Sequence, residues 1–426
     1  MIAVLNRISA YTILFLLFVH AQSQITYNWN TFTTDNSILQ TSIITRLLFL
    51  NDTLWVGTDK GLYFFANEVL EKENSFPDYF IKSFEKGAQG SFWIGTGCNG
   101  IFHRRSNGQF VSYYSGNTGG SGLLNDCILS LASGNDSLWV GTEGSGVYLF
   151  YNNTWQSYHS GNVPGSPDMN HVLDVETTPG NTLWLATASS GMMKKSGSLW
   201  VIYDSLFGLP SNRVHCIMPE NDTLFWLGLG GGNAGSHLVK MDIKNEIILQ
   251  TFDTALSNGI SHDNIWQIFI DSRQRKWIGP NNGITGLTVY NDTSFYAYDE
   301  FEAGLKSLRI YDFAEDDSNR IWAATFRGLS VNTTVFGLHV EEMQLSDHPL
   351  LYPNPVQAGM PFFIKTTEDW PKIQKISIYD ITGRMMYDDL YSESGFMIPT
   401  NTAPGYYVVV IRNQQQRYVF KLLVFE

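Results

Sequence analysis

The sequence predicts an all-β protein in which a seven-bladed β-propeller is followed by a small immunoglobulin-like β-sandwich. A turn-and-strand motif recurs along most of the chain, and a different strand pattern begins near Leu351. Aromatic residues make up 14% and charged residues 16% of the 426 residues, together with 38 glycines. This composition is typical of strands joined by tight turns, and it disfavours a helical or disordered chain.

The first 23 residues are predicted to be a signal peptide. Arg7 precedes an apolar run from Ala10 to Val19, and small residues follow at Ala21 and Ser23, in the order found in secretory signals. The run is shorter than the roughly 18 apolar residues that span a bilayer, and no later stretch reaches that length. We therefore expect an exported chain without a transmembrane segment.

Seven tryptophans mark seven copies of the motif within residues 24–343. They are Trp55, Trp93, Trp139, Trp184, Trp226, Trp277 and Trp322. Their spacing ranges from 38 residues (Trp55 to Trp93) to 51 (Trp226 to Trp277). This period is typical of propeller blades, each of which is a four-stranded sheet. A small residue stands two places after every tryptophan, where we expect it to face a bulky ring of the neighbouring blade.

The innermost strand of each blade is predicted from an apolar residue twelve places before the tryptophan. This column contains Ile43, Ile81, Cys127, Val172, Val214, Ile265 and Ile310. In the segment "NDTLWVGT", an Asn-Asp turn then leads into the strand that carries the tryptophan. The last copy lacks a fourth strand, so Tyr27 to Thr34, with Trp29 and Phe32, is predicted to supply it and to close the ring.

The copies "LWVGTDKGLYFF", "FWIGTGCNGIFHR" and "LWVGTEGSGVYLFY" resemble the two-component regulator propeller repeat. The resemblance extends from Ile25 to about Val340, and blades four to seven depart from the motif at Ala186, Leu229, Pro280 and Ala324. In that family, such propellers often form the extracellular sensing part of membrane-bound hybrid kinases. The resemblance therefore implies a propeller that works outside the cell.

Residues 344–426 form the predicted sandwich. Its strands are predicted in the segments "ISIYDITGRMMYDDL", "GYYVVVIRN" and "KLLVFE". The segment is similar to the type IX (Por) secretion sorting domain, through "PNP" at 353–355, "YDITGR" at 379–384, Gly405, Tyr406 and Lys421. The resemblance implies recognition by the type IX secretion machinery and passage through the periplasm and the outer membrane. It also implies release or attachment at the outer cell surface, with removal of this domain.

Charge and motifs exclude several function classes. The net charge of −13 disfavours nucleic acid as a partner. The nine histidines lack metal-ligand spacing, and "GGGNAG" at 230–235 has no helix to receive a phosphate. We therefore predict no catalytic residue, metal or cofactor, and we interpret Asp271 and Asp316 as turn formers. Three cysteines are too few for a disulfide framework, so Cys127 is interpreted as a core residue.

Two function classes remain, a binding module and an extracellular enzyme such as a polysaccharide lyase or glycoside hydrolase. Binding is favoured because the sequence offers no compact set of acid, base or metal-binding residues. A structure would discriminate the two by showing whether the mouth of the central channel carries clustered carboxylates and histidine or only scattered polar groups.

A ligand is predicted to bind where the chain enters the innermost strands, thirteen residues before each tryptophan. This column contains Ser42, Phe80, Asp126, His171, Arg213, Asn264 and Arg309. The loops after the tryptophan strands, expected on the same face, add Lys60, Asn99, Glu143, Asn282 and Arg327. The predicted ligand-binding residues are Asp126, His171, Arg213, Asn264, Arg309, Glu143 and Arg327. Mixed charge with amide and imidazole groups fits a polar ligand, either a glycan or a peptide.

Overall fold

The computed structural model describes residues 29–119, 122–134, 136–163, 168–180, 182–230, 237–253, 265–280, 286–298, 305–332, 350–352, 356–365, 375–380, 385–390, 396–397, 402–412 and 417–425. The chain divides into two compact units, Met1–Val335 and Phe336–Glu426. The predicted domain boundaries after residues 23 and 343 lie outside the described residues. Within the described part, no helix has the length and apolar character needed to cross a membrane.

The first unit consists of seven four-stranded antiparallel sheets, which are the predicted blades. Strand β1 (Trp29–Phe32) comes first. Blade one contains β2 (Ile44–Leu50), β3 (Thr53–Thr58), β4 (Gly61–Ala66) and β5 (Val69–Lys72), and blade two contains β6 (Ile81–Lys86), β7 (Phe92–Thr96), β8 (Ile101–Arg104) and β9 (Phe110–Tyr113), with a 3-10 turn at Ala88–Gly90.

Blades three to seven continue the same order. Blade three contains β10 (Ile128–Gly134), β11 (Ser137–Thr142), β12 (Val147–Tyr151) and β13 (Thr154–Tyr158). Blade four contains β14 (Val172–Thr178), β15 (Thr182–Thr187), β16 (Met192–Ser196) and β17 (Leu199–Tyr203). Blade five contains β18 (Val214–Pro219), β19 (Leu224–Leu229), β20 (His237–Asp242) and β21 (Ile247–Asp253). Blade six contains β22 (Ile265–Ile270), β23 (Lys276–Pro280), β24 (Leu287–Tyr290) and β25 (Phe295–Tyr298). Blade seven contains β26 (Ile310–Glu315), β27 (Ile321–Thr325) and β28 (Gly328–Asn332).

The first strand of every blade is the inner strand, and each inner strand packs against the inner strands of both neighbouring blades. All seven carry the same β-bulge directly after their first residue, as between Ile81 and Ser83 in blade two. A bulge bends the strand and changes the direction of its side chains. The repeated bulge therefore places the second residue of each inner strand at the same level around the central channel.

The inner strand starts one residue later than predicted in blades one and three, at Ile44 and Ile128 instead of Ile43 and Cys127. The reason is a shorter hairpin. In blade one, Asn51 and Asp52 form a two-residue turn with φ of 50° and 57°, as required by the turns that join twisted strands. Blade two joins the corresponding strands through five residues, 87–91.

Cys127 forms a disulfide with Cys98, so its interpretation as a core residue was wrong. The bond joins the loop after β7 in blade two to the residue before β10 in blade three. The free cysteine, Cys216, is buried. Packing is therefore supplemented by one covalent link between adjacent blades.

The glycine two places after the tryptophan packs against the next blade, on the aliphatic residue that begins the next inner strand. In blades one and six it also faces a ring of that strand, as predicted, with an added Cβ 3.2 Å from Phe84 and 3.3 Å from Phe313. A Cβ added at Gly57 would lie 2.6 Å from Ile81 Cγ2, and one added at Gly228 would lie 2.7 Å from Ile265 Cγ2. Both isoleucines are the first residue of the following inner strand. Glycine or alanine is needed because the blades approach most closely beside the channel.

Ring closure by the N-terminal segment is confirmed. Strand β1 pairs antiparallel with β28, with Trp29 opposite Asn332 and Phe32 opposite Leu329. The ring of Phe32 stacks on Trp322 with centroids 6.3 Å apart. The N-terminal strand thus becomes the fourth, outer strand of blade seven and covers the edge of β28.

The second unit contains two sheets. Its strands are β29 (Leu350–Tyr352), β30 (Val356–Gln357), β31 (Pro361–Lys365), β32 (Lys375–Asp380), β33 (Met385–Leu390), β34 (Phe396–Met397), β35 (Gly405–Arg412) and β36 (Arg417–Phe425). One sheet has the order β29-β31-β34 and the other β30-β36-β35-β32-β33, with β30 parallel to β36. Phe362, Ile376, Val409 and Leu422 belong to one buried cluster. The immunoglobulin-like assignment of this unit stays a prediction.

Candidate ligand-binding channel

A cavity of about 630 Å³ occupies the centre of the propeller. Residues from all seven inner strands line it. Its size is within the range of small-molecule sites, which are typically about 300 to 1,000 Å³. The cavity is the candidate functional site.

One end of the channel is surrounded by the residues that precede the inner strands and by the loops between second and third strands. We call this end the rim. Backbone hydrogen bonds join the two sets: Phe80 accepts from Gly97 at 2.7 Å, His171 from Ala188 at 3.2 Å, and Arg309 from Phe326 at 3.0 Å. The structure thus brings together, on one face, the two groups of positions from which the ligand site was predicted.

Asp126 does not occupy the rim position that was predicted for it. The rim residue of blade three is Cys127, whose carbonyl accepts from Glu143 N at 3.0 Å. The Asp126 carboxylate instead accepts from Ser115 N at 2.7 Å and from Ser115 Oγ at 2.8 Å. Asp126 therefore holds the loop that leads from blade two to blade three, and Asn264 and Asn282 lie outside the described residues.

Among the other predicted residues, Arg309 contacts the cavity directly. Its guanidinium lies 5.0 Å from the centre of the Phe326 ring. His171 and Glu143 form a β-bridge between blades four and three. Arg213 and Arg327 are exposed on the rim. These positions stay predicted ligand-binding residues, with Arg309 in the most enclosed position.

Two further cations line the cavity, Arg46 and Lys82. Arg46 Nη1 donates to Thr45 O at 2.7 Å and, across to blade seven, to Tyr311 O at 3.0 Å. Burial, and secondly the charge of Arg46, lower the pKa of Lys82. Lys82 Nζ also lies 4.3 Å from the centre of the Phe80 ring. Together with Arg309, these side chains place three cations in the channel.

Four carboxylates also line the cavity, and burial raises the pKa of each. The pKa of Asp174 and of Asp312 rises to about 6. That of Glu85 rises to about 7, and that of Glu176 rises well above its usual range because nearby Asp174 and Glu85 add to the effect of burial. Both aspartates also bind the next blade: Asp174 accepts from Ile217 N at 2.8 Å and Asp312 from Leu47 N at 2.9 Å.

Cations and glutamates lie at different depths in the channel. Arg309 directly precedes an inner strand, Lys82 is the second residue of β6, and Glu85 and Glu176 are the fifth residues of β6 and β14. At about 3.3 Å per residue, Lys82 and Glu85 are separated by roughly 10 Å along the strand. The channel thus has Arg309 and Lys82 nearest the rim and Glu85 and Glu176 toward the opposite end. Between them, Arg46, Asp174 and Asp312 share one level as the third residues of their strands.

Sequence reasoning missed most of the channel lining, including Arg46, Lys82, Glu85, Asp174, Glu176 and Asp312. The signal was present in the tryptophan alignment, because Glu85 and Glu176 both stand eight residues before their tryptophans. Within the described residues, no group of three or more histidine, cysteine or carboxylate side chains is arranged to hold a metal ion. The chemistry on offer is hydrogen bonding, charge complementarity and proton exchange by carboxyl groups.

The second unit matches a known protein family. Residues 350–425 match the family described as the secretion system C-terminal sorting domain. These residues are a type IX sorting domain. The sorting domain directs interaction with the secretion machinery, and the protein is secreted or lies at the cell surface. No curated protein sequence matches the chain.

Solved structures confirm the propeller fold. The chain is similar to the extracellular domains of the hybrid two component systems BT3049 and BT4673 from B. thetaiotaomicron, with 16% and 13% identity and TM-scores of 0.61 and 0.59. The matches cover 93% and 95% of this chain but 57% and 60% of those domains. A streptogramin B lyase matches with 14% identity, a TM-score of 0.57 and coverage of 73% of this chain and 99% of the lyase. At these identities the likeness concerns the fold.

Proposed function

We propose that the propeller of this secreted surface protein is a binding module that takes a polar ligand, a glycan or a peptide segment, at the rim of its central channel. The observation that carries the proposal is the cavity of about 630 Å³ with its polar lining. Loops on a rigid scaffold commonly carry binding function. Here the loops of successive blades are fixed to the rim by backbone hydrogen bonds.

The test is simultaneous replacement of Arg213 and Arg309 by alanine in the secreted protein. Binding to glycan and peptide arrays is measured beside the melting temperature. Loss of array binding with an unchanged melting temperature supports the proposal, because both arginines lie on the rim and neither is fully buried. Full binding by the double variant contradicts a rim site and indicates the opposite face of the propeller.

An extracellular enzyme is the second candidate, because the channel does contain the clustered carboxylates that would favour one. A carboxyl group with a pKa of about 7, as in Glu85, suits general acid or base catalysis near neutral pH. Incubation with a panel of polysaccharides tests this, with new reducing ends or unsaturated products as the readout. Turnover by the native protein that is lost in Glu85→Gln and Glu176→Gln would establish catalysis.

A further inference from the structure

Arg46, Lys82 and Arg309 form a cationic group at the rim end of the cavity. None of the three forms a salt bridge with a carboxylate in the described part of the chain, although six other basic side chains do. Glu143 is the nearest acid that raises the pKa of Lys82, and it is exposed. Arg46 lies one level deeper, where its charge acts against the burial that raises the pKa of Asp174 and Asp312. Lys82 and Arg309 are therefore the two cations that an anionic ligand would meet first at the rim.

Flat apolar groups stand beside these cations. Phe80, Trp266 and Tyr311 line the same part of the cavity, and Phe80 is 37% exposed. Trp266 and Tyr311 are the second residues of β22 and β26, at the level of Lys82 in β6. A ligand held by the cations would therefore also meet aromatic faces.

A buried hydroxyl group completes the arrangement. Thr45 lines the cavity at the same level, is 4% exposed, and its Oγ1 makes no hydrogen bond within the described structure. A buried polar group without a partner costs roughly 1–3 kcal/mol, which a ligand hydroxyl group would recover.

We propose that the rim end of the channel binds an acidic oligosaccharide, with a carboxylate or sulfate group held by Lys82 and Arg309 and a sugar ring against Trp266 and Tyr311. The inference rests on the proposed function and specifies its ligand class. Sugar rings present an apolar C–H face together with hydroxyl groups at their edge, which matches aromatic rings beside Thr45 Oγ1.

A peptide fits the same lining less well. Extended peptides bind by adding a strand to a free sheet edge, whereas backbone N–H groups on the inner edges are already used in two blades, where Asp174 and Asp312 accept from Ile217 N and Leu47 N. The glutamates toward the opposite end would repel an anionic ligand. The acidic group is therefore expected to stay at the rim and not to pass through the channel.

The experiment uses the secreted, folded protein on an array that contains uronate-bearing, sulfated and neutral oligosaccharides and polyglutamate peptides. Oligogalacturonate and its methyl ester form the matched pair, since esterification removes the charge of each carboxyl group and adds only a methyl group. Lys82→Gln and Arg309→Gln are each expected to weaken binding of the acidic oligosaccharides by at least about tenfold, the usual effect of removing one charge-assisted hydrogen bond. Lys306→Gln is the control, because Lys306 is an exposed lysine in the loop before β26 and should bind as the native protein does.

Each outcome decides the inference. Acidic oligosaccharides bound in preference to neutral ones, with loss in Lys82→Gln and Arg309→Gln but not in Lys306→Gln, would establish the anionic site. Equal binding of oligogalacturonate and its methyl ester, or binding of polyglutamate alone, overturns the acidic-glycan inference and leaves the proposed binding function intact. Binding of nothing on the array overturns both.

Discussion

The propeller holds the same tryptophan in two different ways in two groups of blades. In blades four to seven, the indole N–H donates to a side chain six residues earlier: Thr178 for Trp184, Glu220 for Trp226, Asp271 for Trp277 and Asp316 for Trp322. In blades one to three the corresponding positions are Phe49, Gly87 and Ser133, and the Ser133 hydroxyl donates to Glu85 instead.

Ring and cation–π contacts surround the tryptophans of both groups, as for Lys240 and Trp226 at 5.0 Å, so the groups differ in the indole hydrogen bond. In the first three blades, the contacts of the ring faces are the ones observed. His103 lies parallel to Trp93 with ring centroids 4.0 Å apart, and the Arg104 guanidinium lies 4.5 Å from the ring centre of Trp55. These two tryptophans keep some exposure, whereas Trp226 and Trp277 are fully buried. A buried indole N–H requires an acceptor and a partly exposed one does not. The comparison teaches that a residue repeated in every blade fixes the position of its ring but not the interaction that stabilises the ring.

The largest effect is expected where the acceptor is a buried carboxylate. Asp271 accepts from Trp277 Nε1 at 2.9 Å, from Arg275 Nε at 2.7 Å and from two backbone N–H groups of its turn. Asp271→Ala removes these four hydrogen bonds from a buried site, so we expect a loss of about 3 kcal/mol in the free energy of unfolding. Urea denaturation of the secreted protein measures it. Asp222→Ala, in the exposed hairpin of blade five, is the control, and a similarly small loss in both variants would contradict the assignment.

The disulfide between blades two and three should contribute the next largest effect, within the group of blades that lacks the indole hydrogen bonds. Replacing Cys98 and Cys127 together by serine is expected to cost about 2 to 3 kcal/mol, because the bond restricts the unfolded chain between them. A reductant should destabilise the native protein by the same amount and leave the double variant unchanged. Equal stability of the native and double-variant proteins would show that packing alone holds these blades.

The propeller could be predicted from the sequence because one alignment column, the tryptophan, gives the position of the second strand in every blade. The sequence was insufficient for the disulfide, because Cys98 and Cys127 are 29 residues apart and meet only through contact between adjacent blades. The turn-forming role of Asp271 and Asp316 was inferred from local sequence. Their hydrogen bonds to an indole six residues later depend on how the hairpin folds back, and composition does not show this.

The channel lining was missed for a different reason. The second residues of the inner strands share no chemical type, so no repeated residue marks this position in the sequence. They include Thr45, Lys82, His215 and Trp266. The predicted rim position directly precedes the inner strand in blades two, four, five and seven, and that of blade six lies outside the described residues. Ser42 and Asp126 are one residue too early because the hairpins of blades one and three are shorter. Arg309 is the predicted residue that the structure places against the cavity.

A smaller, pH-dependent effect is expected at Glu85, which lines the channel in blade two and accepts from Ser133 of blade three. The folded-state pKa of Glu85 is raised to about 7, so the folded state binds a proton more tightly than the unfolded chain does. The stability that this provides is present below pH 4 to 5 and is lost as pH rises through 7. Glu85→Gln should therefore raise the free energy of unfolding by about 1 to 2 kcal/mol at pH 8 and by much less at pH 5. Glu71→Gln, on the exposed face of β5, is the control, and a gain independent of pH would argue against the assignment.

The smallest effect is expected for the stacked tryptophan of blade two. His103→Ala removes the ring parallel to Trp93, and aromatic pairs of this kind contribute about 0.5 to 1.5 kcal/mol. Thermal and urea denaturation of His103→Ala and Asp271→Ala compare the free energy of unfolding lost with the stacking contact and with the hydrogen bonds of the buried carboxylate. A loss in His103→Ala as large as that in Asp271→Ala would remove the distinction between the two groups of blades.

Closure of the ring by β1 affects the order in which the propeller folds as well as the shape of the sheet. Trp29 and Asn332 are paired although 303 positions separate them by subtraction of their numbers, and contacts so distant in sequence form late in folding. Strand β1 is synthesised first, but its partner β28 belongs to the last blade and follows only when nearly the whole propeller has been made. We therefore expect β1 and the edge of β28 to stay unpaired while the other blades form, and closure of the ring to be a late step of folding.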